Sequence, residues 1–198
     1  MGEEFPHNPV LETIRLRRSV RRYQRQEVPR QLLERILEAA NQAPSAHNKQ
    51  AWKFVVIGGV ARERLAEAIS AQSVRFPRTL RVLLRLASQI VLSAPEVIAI
   101  FTTGELLREG GEGGDQAADF FRLMEIQSSA AAVQNLMLAA SSLGLGTVWL
   151  GAVCLIRDEI QNLLGQEGDL MALVPVGYPA GPPGGSPRKK DYREVTVF

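Results

Sequence analysis

Val97-Ile98-Ala99-Ile100-Phe101 is an apolar run without alternation, opened by Pro95 and closed by Thr102. A run of that kind reads as a strand buried on both faces, so other elements must cover it. Helical patterns supply the cover. Residues 9–18 predict a short helix, with Asn8 as N-cap and Val10, Leu11 and Ile14 on one side. Residues 29–42 predict a second, with Pro29 at the first helical position and Leu32, Leu33, Ile36, Leu37 and Ala40 as one stripe. Further helices are expected at 60–71, 78–92, 117–143 and 156–164, and shorter strands at 53–57, 147–150, 170–178 and 193–197. Helices outnumber strands and do not alternate with them strictly. That order predicts an α+β fold rather than a doubly wound sheet.

At 198 residues the chain matches one domain, 1–198, with a core large enough to need no staple. The single Cys154 excludes an intrachain disulfide framework and any Cys-rich metal site. No run reaches the roughly 18 apolar residues of a membrane span. The opening MGEEFPHNP has neither the pattern of a secretory signal nor that of an Arg-rich transit peptide. A cytoplasmic protein with no membrane partner is the expectation. Residues 104–116 carry five glycines among acidic residues and predict a mobile surface loop, with a lid as the alternative use.

Net charge is only +2, yet seven arginines fall between positions 15 and 30. Such a cluster in a near-neutral chain suggests a local anion site, a solvated helix face being the alternative. Aromatic interleaving is limited to Tyr23, which argues against a nucleic-acid surface. Protein-only catalysis is poorly supplied. The histidines are His7 and His47, Cys154 sits in an apolar stretch that predicts a buried structural thiol, and no metal-ligand spacing appears. Gly144-Leu145-Gly146 follows a helix and precedes a strand, the reverse of a dinucleotide-binding turn. What remains is a protein that orients a cofactor and tunes it. Basic clusters at 17–21 and 188–190 could converge on one phosphate, whose oxygens suit the planar fork of arginine.

Four blocks then resemble, in order, the nitroreductase family of FMN flavoproteins. They are Arg17-Arg18-Ser19-Val20-Arg21 with Tyr23 and Val28-Pro29; Ala43-Pro44-Ser45-Ala46-His47-Asn48-Lys49-Gln50-Ala51-Trp52; Gln134-Asn135-Leu136 through Ala140 to Gly144-Leu145-Gly146-Thr147; and Pro175-Val176-Gly177-Tyr178-Pro179 with Arg188-Lys189. The resemblance implies a nitroreductase-like fold, a central and mostly antiparallel sheet flanked by helices, forming a homodimer with FMN at the interface. Arg17, Arg18 and Ser19 would hold the phosphate and ribityl chain, aided by Arg188. Arg21 would reach toward flavin N1 and O2. Pro44, Ser45 and Asn48 would be laid against the cofactor by the partner subunit, and Leu150 and Gly151 would face the flavin edge at N5. No side chain is implied as catalytic, because the flavin carries the chemistry.

The implied activity is an oxidoreductase that passes electrons from NADH or NADPH through FMN to a nitroaromatic, a quinone or a similar small molecule. Reductive dehalogenation, flavin fragmentation and non-enzymatic flavin binding on the same scaffold are the alternatives. Two departures from the family pattern stand out: Ala51 where a proline is usual before Trp52, and Lys190 where the C-terminal motif often has proline. The small-sided Ser128-Ser129-Ala130-Ala131-Ala132 allows close helix packing, which suits a dimer.

Overall fold

The apolar run lies within strand β2 (Glu96–Thr102) of the computed structural model, which describes residues 7–109, 114–182 and 189–197. Its partners are β1 (Trp52–Gly58), β3 (Gly146–Thr147) and β4 (Leu170–Gly177). They form one four-stranded sheet in the order β1-β2-β4-β3, with every neighbouring pair antiparallel. Seven α-helices are described: α1 (Pro9–Leu16), α2 (Arg30–Asn41), α3 (Gly59–Gln72), α4 (Arg78–Ser93), α5 (Glu105–Glu109), α6 (Gly114–Ser142) and α7 (Arg157–Leu164). The architecture is α+β, as the element order predicts.

The period of two along β2 divides the core. Val97, Ala99 and Phe101 pack with Leu65 and Ile69 of α3 and Leu84, Ile90 and Val91 of α4. Ile98 and Ile100 pack with Leu33 and Ile36 of α2 and Val133 and Leu136 of α6. Both faces of the strand are therefore dry, which is why its sequence does not alternate. Between Ile100 and Phe101 the register against β4 shifts, from Ala172 to Leu170. This bulge lets Leu170 join the α3–α4 side while Ala172, Val174 and Val176 face α2 and α6.

Three sequence expectations change. Residues 193–197 are not a strand: Tyr192–Val195 is a 3₁₀ turn. A capping box decides it, in which Asp191 accepts from the Arg193 amide and Glu194 accepts from the Asp191 amide. Residues 104–116 are not one loop, since α5 occupies 105–109 and α6 opens at 114. The buried Glu125 carboxylate accepts from the Gly104 and Leu106 amides at 3.1 and 2.8 Å, giving the start of α5 the partners that glycine content alone does not reveal. The strand expected at 147–150 shortens to Gly146–Thr147, followed by one isolated bridge from Leu150 to Leu173.

The small-residue stretch of α6 is buried within the chain. Ser128, Ser129 and Ala132 are covered, and Ala132 packs on Ala43 and Trp52. Other parts of α1 and α6 stay open: Val10, Leu11 and Ile14 on α1, and Phe120 and Leu123 on α6, are all exposed.

Candidate active site

The Arg17 block begins where α1 ends. Asn8 caps the other end, its side chain accepting from the Val10 and Leu11 amides. Arg17 leaves helical geometry while its amide still donates to the Thr13 carbonyl at 2.9 Å. Arg18 then folds back, its Nη1 donating to the Arg15 and Arg17 carbonyls at 2.7 and 2.8 Å. A cation on those carbonyls offsets the negative end of the helix dipole. Arg18 is thus occupied within its own backbone. Arg17 is not: its Nη1 is buried and has no hydrogen-bond partner among the described residues. A buried donor left without an acceptor costs about 1–3 kcal/mol, so an anionic oxygen is the natural complement.

Beyond α1 the chain runs as an extended strap on the sheet edge. Ser19 forms a parallel bridge with Thr147, and the Val20 amide donates to the Thr147 carbonyl at 2.9 Å. Gly146 permits the approach, because a Cβ there would lie 2.7 Å from the Val20 Cβ. The Tyr23 hydroxyl donates to the Val20 carbonyl at 2.7 Å, and the Gln24 amide to the Tyr178 carbonyl at 2.8 Å. Burial pushes the Tyr23 phenol well above its ordinary pKa, with Arg21 opposing the rise, so it stays a neutral donor. Val20 packs on the core, while its neighbours Ser19 and Arg21 are exposed. A cavity of about 340 Å³ opens between Arg18–Arg22 and Pro179–Pro182.

The strap brings residues 17–21 beside the segment that holds Leu150 and Gly151. The Leu150 amide donates to the Leu173 carbonyl at 2.9 Å and its own carbonyl accepts in return, so Leu150 offers no free amide. The next amide, that of Gly151, makes no hydrogen bond among the described residues. Trp149 is part-exposed, and its indole Nε1 lies 3.6 Å from where a Gly151 Cβ would sit. Cys154 lies beyond this turn, its Sγ donating to the Leu170 and Met171 carbonyls at 3.3 Å, and burial pushes its thiol pKa up. The thiol is half-buried, not the fully buried one its apolar sequence context predicts.

Pro44, Ser45 and Asn48 sit elsewhere. Their loop follows α2 and lies on the middle of α6, where Pro44, Ser45, Ala46 and Met124 line a separate cavity of about 310 Å³. The Ala46 amide donates to Ser128 Oγ at 3.1 Å, and that hydroxyl donates to the Met124 carbonyl at 2.7 Å. The Gln50 amide donates to Ser45 Oγ at 3.0 Å. His47, Asn48 and Gln50 all adopt left-handed conformations, with φ of 50, 54 and 51°. Strain of that density is held at functional sites when the surroundings fix it. No hydrogen bond or cavity among the described residues joins this loop to Arg17, Ser19 or Arg21. Arg188 lies outside the described residues, and Lys189 and Lys190 are exposed.

Sequence reasoning missed Ser128 and Glu125, the two α6 residues that anchor this loop and α5. Both sit in a helix whose pattern reads as packing alone. The signal available was a polar residue at a position the apolar pattern would bury.

A family model described as the nitroreductase family matches residues 14–178. A protein of Methanothermobacter thermautotrophicus, assigned as an NADH dehydrogenase/NAD(P)H nitroreductase, is 32% identical over 180 residues, covering 88% of this chain and 80% of its own. Among solved structures, one from Desulfovibrio desulfuricans, assigned as a nitroreductase in complex with FMN, superposes with a TM-score of 0.74 at 30% identity, over 97% of each chain. A BluB-like flavoprotein from Clostridium difficile 630 superposes with a TM-score of 0.76 at 28% identity, over 96% of this chain and 98% of that one.

Proposed function

This chain belongs to the nitroreductase family, and from that premise we propose that it is an FMN-dependent oxidoreductase drawing electrons from NADH or NADPH and delivering them to a small organic acceptor, a nitroaromatic, a quinone or a similar molecule. One observation carries the cofactor assignment to these residues: the buried Arg17 Nη1, without a hydrogen-bond partner among the described residues, at the head of a strap pinned to the sheet.

When bound, FMN supplies the hydride- and electron-transfer chemistry that the side chains lack. Arg17 and Ser19 hold its phosphate and ribityl chain. Arg18 contributes indirectly, by closing the end of α1 and fixing where Arg17 starts. Arg21 would hold a positive charge beside the cofactor's ring, where it would supply preorganised electrostatic stabilisation of negative charge. Gly151 offers its free amide to the ring edge. Pro44, Ser45 and Asn48 act on the site of a second copy, which accounts for their separation from Arg17 within one chain. The chain folds as the single domain 1–198 and works as a homodimer, covering the exposed apolar residues of α1 and α6. Among the described residues no helix is long and apolar enough to cross a membrane.

The absorption spectrum of the purified protein, with and without NADH or NADPH, tests this directly. A flavin spectrum that bleaches on mixing with either nicotinamide supports the assignment. A colourless protein that takes up no FMN, or a yellow one that neither nicotinamide reduces, overturns it. The likeness to a BluB-like flavoprotein favours, as a second reading, another flavin chemistry on this scaffold. Product analysis after aerobic incubation with reduced FMN separates the two.

A further inference from the structure

On the side of the sheet away from α2 and α6, α4 presents a face that the core does not use. Its inner residues Leu84, Ala87, Ile90 and Val91 are buried. Its outer face carries Val82 and Leu86, which are 58 and 44% exposed. Arg78 and Arg85, one heptad apart and both exposed, form a row along one side of Val82 and Leu86. Neither arginine makes an ion pair or a hydrogen bond among the described residues. Nearby Arg75 and Arg81 are occupied, Arg75 with Glu159 and Arg81 with the Val74 and Phe76 carbonyls. From Ala68 to Pro95 the sequence holds four arginines and no acidic residue.

We propose that this outer face of α4 docks the protein on an anionic lipid surface, with Arg78 and Arg85 at the headgroups and Val82 and Leu86 entering the boundary beside them. Charge complementarity selects the occupant. A second copy meeting the same face would set Arg78 and Arg85 against their own equivalents with no carboxylate in the stretch to pair them. The two aliphatic residues stand on a convex helix, and among the described residues no aromatic anchor joins them of the kind that concentrates protein–protein affinity. A fluid lipid surface requires no such shape match. The contact is peripheral and needs no spanning segment; it departs from the expectation of no membrane partner, which the lack of an apolar run of spanning length does not secure.

The test is co-sedimentation of the full-length, FMN-loaded protein with vesicles of phosphatidylcholine, with and without phosphatidylglycerol, across a salt series. The protein is expected to pellet with the anionic vesicles only, and less as salt rises. Arg78→Gln and Arg85→Gln should each weaken binding about fivefold, and Val82→Ser with Leu86→Ser should weaken it further, all with the parent's flavin spectrum and melting temperature. Arg25→Gln, in the basic cluster of residues 15–30 rather than on the outer face of α4, should leave binding unchanged. No preference for anionic vesicles, or binding that follows Arg25 rather than Arg78 and Arg85, overturns the proposal. So does salt-dependent self-association in sedimentation velocity that Leu86→Ser abolishes, which assigns the face to a second copy. Failure on vesicles with Arg78-dependent retention on polyglutamate assigns it to an acidic polypeptide and equally overturns it.

Discussion

The Val20 amide donates to the Thr147 carbonyl at 2.9 Å, and through this bond the basic strap near the start of the chain becomes an added edge of the sheet. Everything the site asks of Arg17, Ser19 and Arg21 depends on that attachment. The hydrogen bond forms because nothing but hydrogen stands on the Gly146 Cα.

Gly146→Val should therefore push the strap off β3. Overpacking of this kind costs about 1–3 kcal/mol. FMN affinity should fall with stability, since the displaced residues are those proposed to hold the cofactor. Thermal melting and FMN titration check both; an unchanged FMN affinity would separate the strap from the site.

Arg17→Ala should weaken FMN by roughly ten- to a hundredfold, the loss of one charge-assisted contact of about 1.5–3 kcal/mol. Riboflavin, which has no phosphate, should bind nearly as well as before. Arg22→Ala serves as the control, because Arg22 engages the fold through its backbone, its carbonyl accepting from the Ala180 amide. Equal losses for FMN and riboflavin would reassign Arg17 to general stability. Arg188→Ala, tested in parallel, should reproduce the Arg17 pattern if both hold one phosphate.

Glu125→Ala removes the acceptor of two backbone amides at the start of α5 and leaves them buried. A loss of about 2–3 kcal/mol is expected. Glu125→Gln, which keeps one acceptor, should recover part of it. Urea denaturation measures the stability, and limited proteolysis reads the release of α5 as new cleavage between 104 and 109.

Glu96 gives a pH dependence. Burial raises its carboxyl pKa; Arg62 opposes the rise and Glu27 reinforces it. The native state then holds the proton more tightly than the unfolded chain. Its contribution to stability is complete below the ordinary carboxylate pKa and is lost as pH rises through the raised native value. Glu96→Gln should accordingly be at least as stable as the parent at neutral pH, with the advantage vanishing in acid. Melting temperatures recorded across that range decide it.

The helices, the buried strand and the arginine strap were legible because each has a local cause: an apolar stripe, an unbroken apolar run, a cluster of one charge. Asn8 was legible as a cap for the same reason. The 3₁₀ turn at Tyr192 was not, since Val195 and Val197 look strand-like until the Asp191–Glu194 capping box is weighed. Helix α5 was hidden because its support comes from Glu125, across a stretch of chain that includes residues outside the described set. The different fates of Arg17 and Arg18 were equally hidden. Adjacent arginines are indistinguishable in sequence, and only the turn at the end of α1 sends one to backbone carbonyls and leaves the other's Nη1 without a hydrogen-bond partner among the described residues.

The strap's two attachments, Ser19 to Thr147 and Tyr23 to Pro179, join chain segments more than a hundred residues apart. Closing loops of that size is entropically slow, and contacts of such long range set the pace of folding. The sheet interior can assemble from β1, β2 and β4 before the strap arrives, so binding competence should be the last property the protein acquires as it folds. A ribosome would have to release nearly the whole chain before the strap could find its place, and no shorter nascent fragment should capture the cofactor.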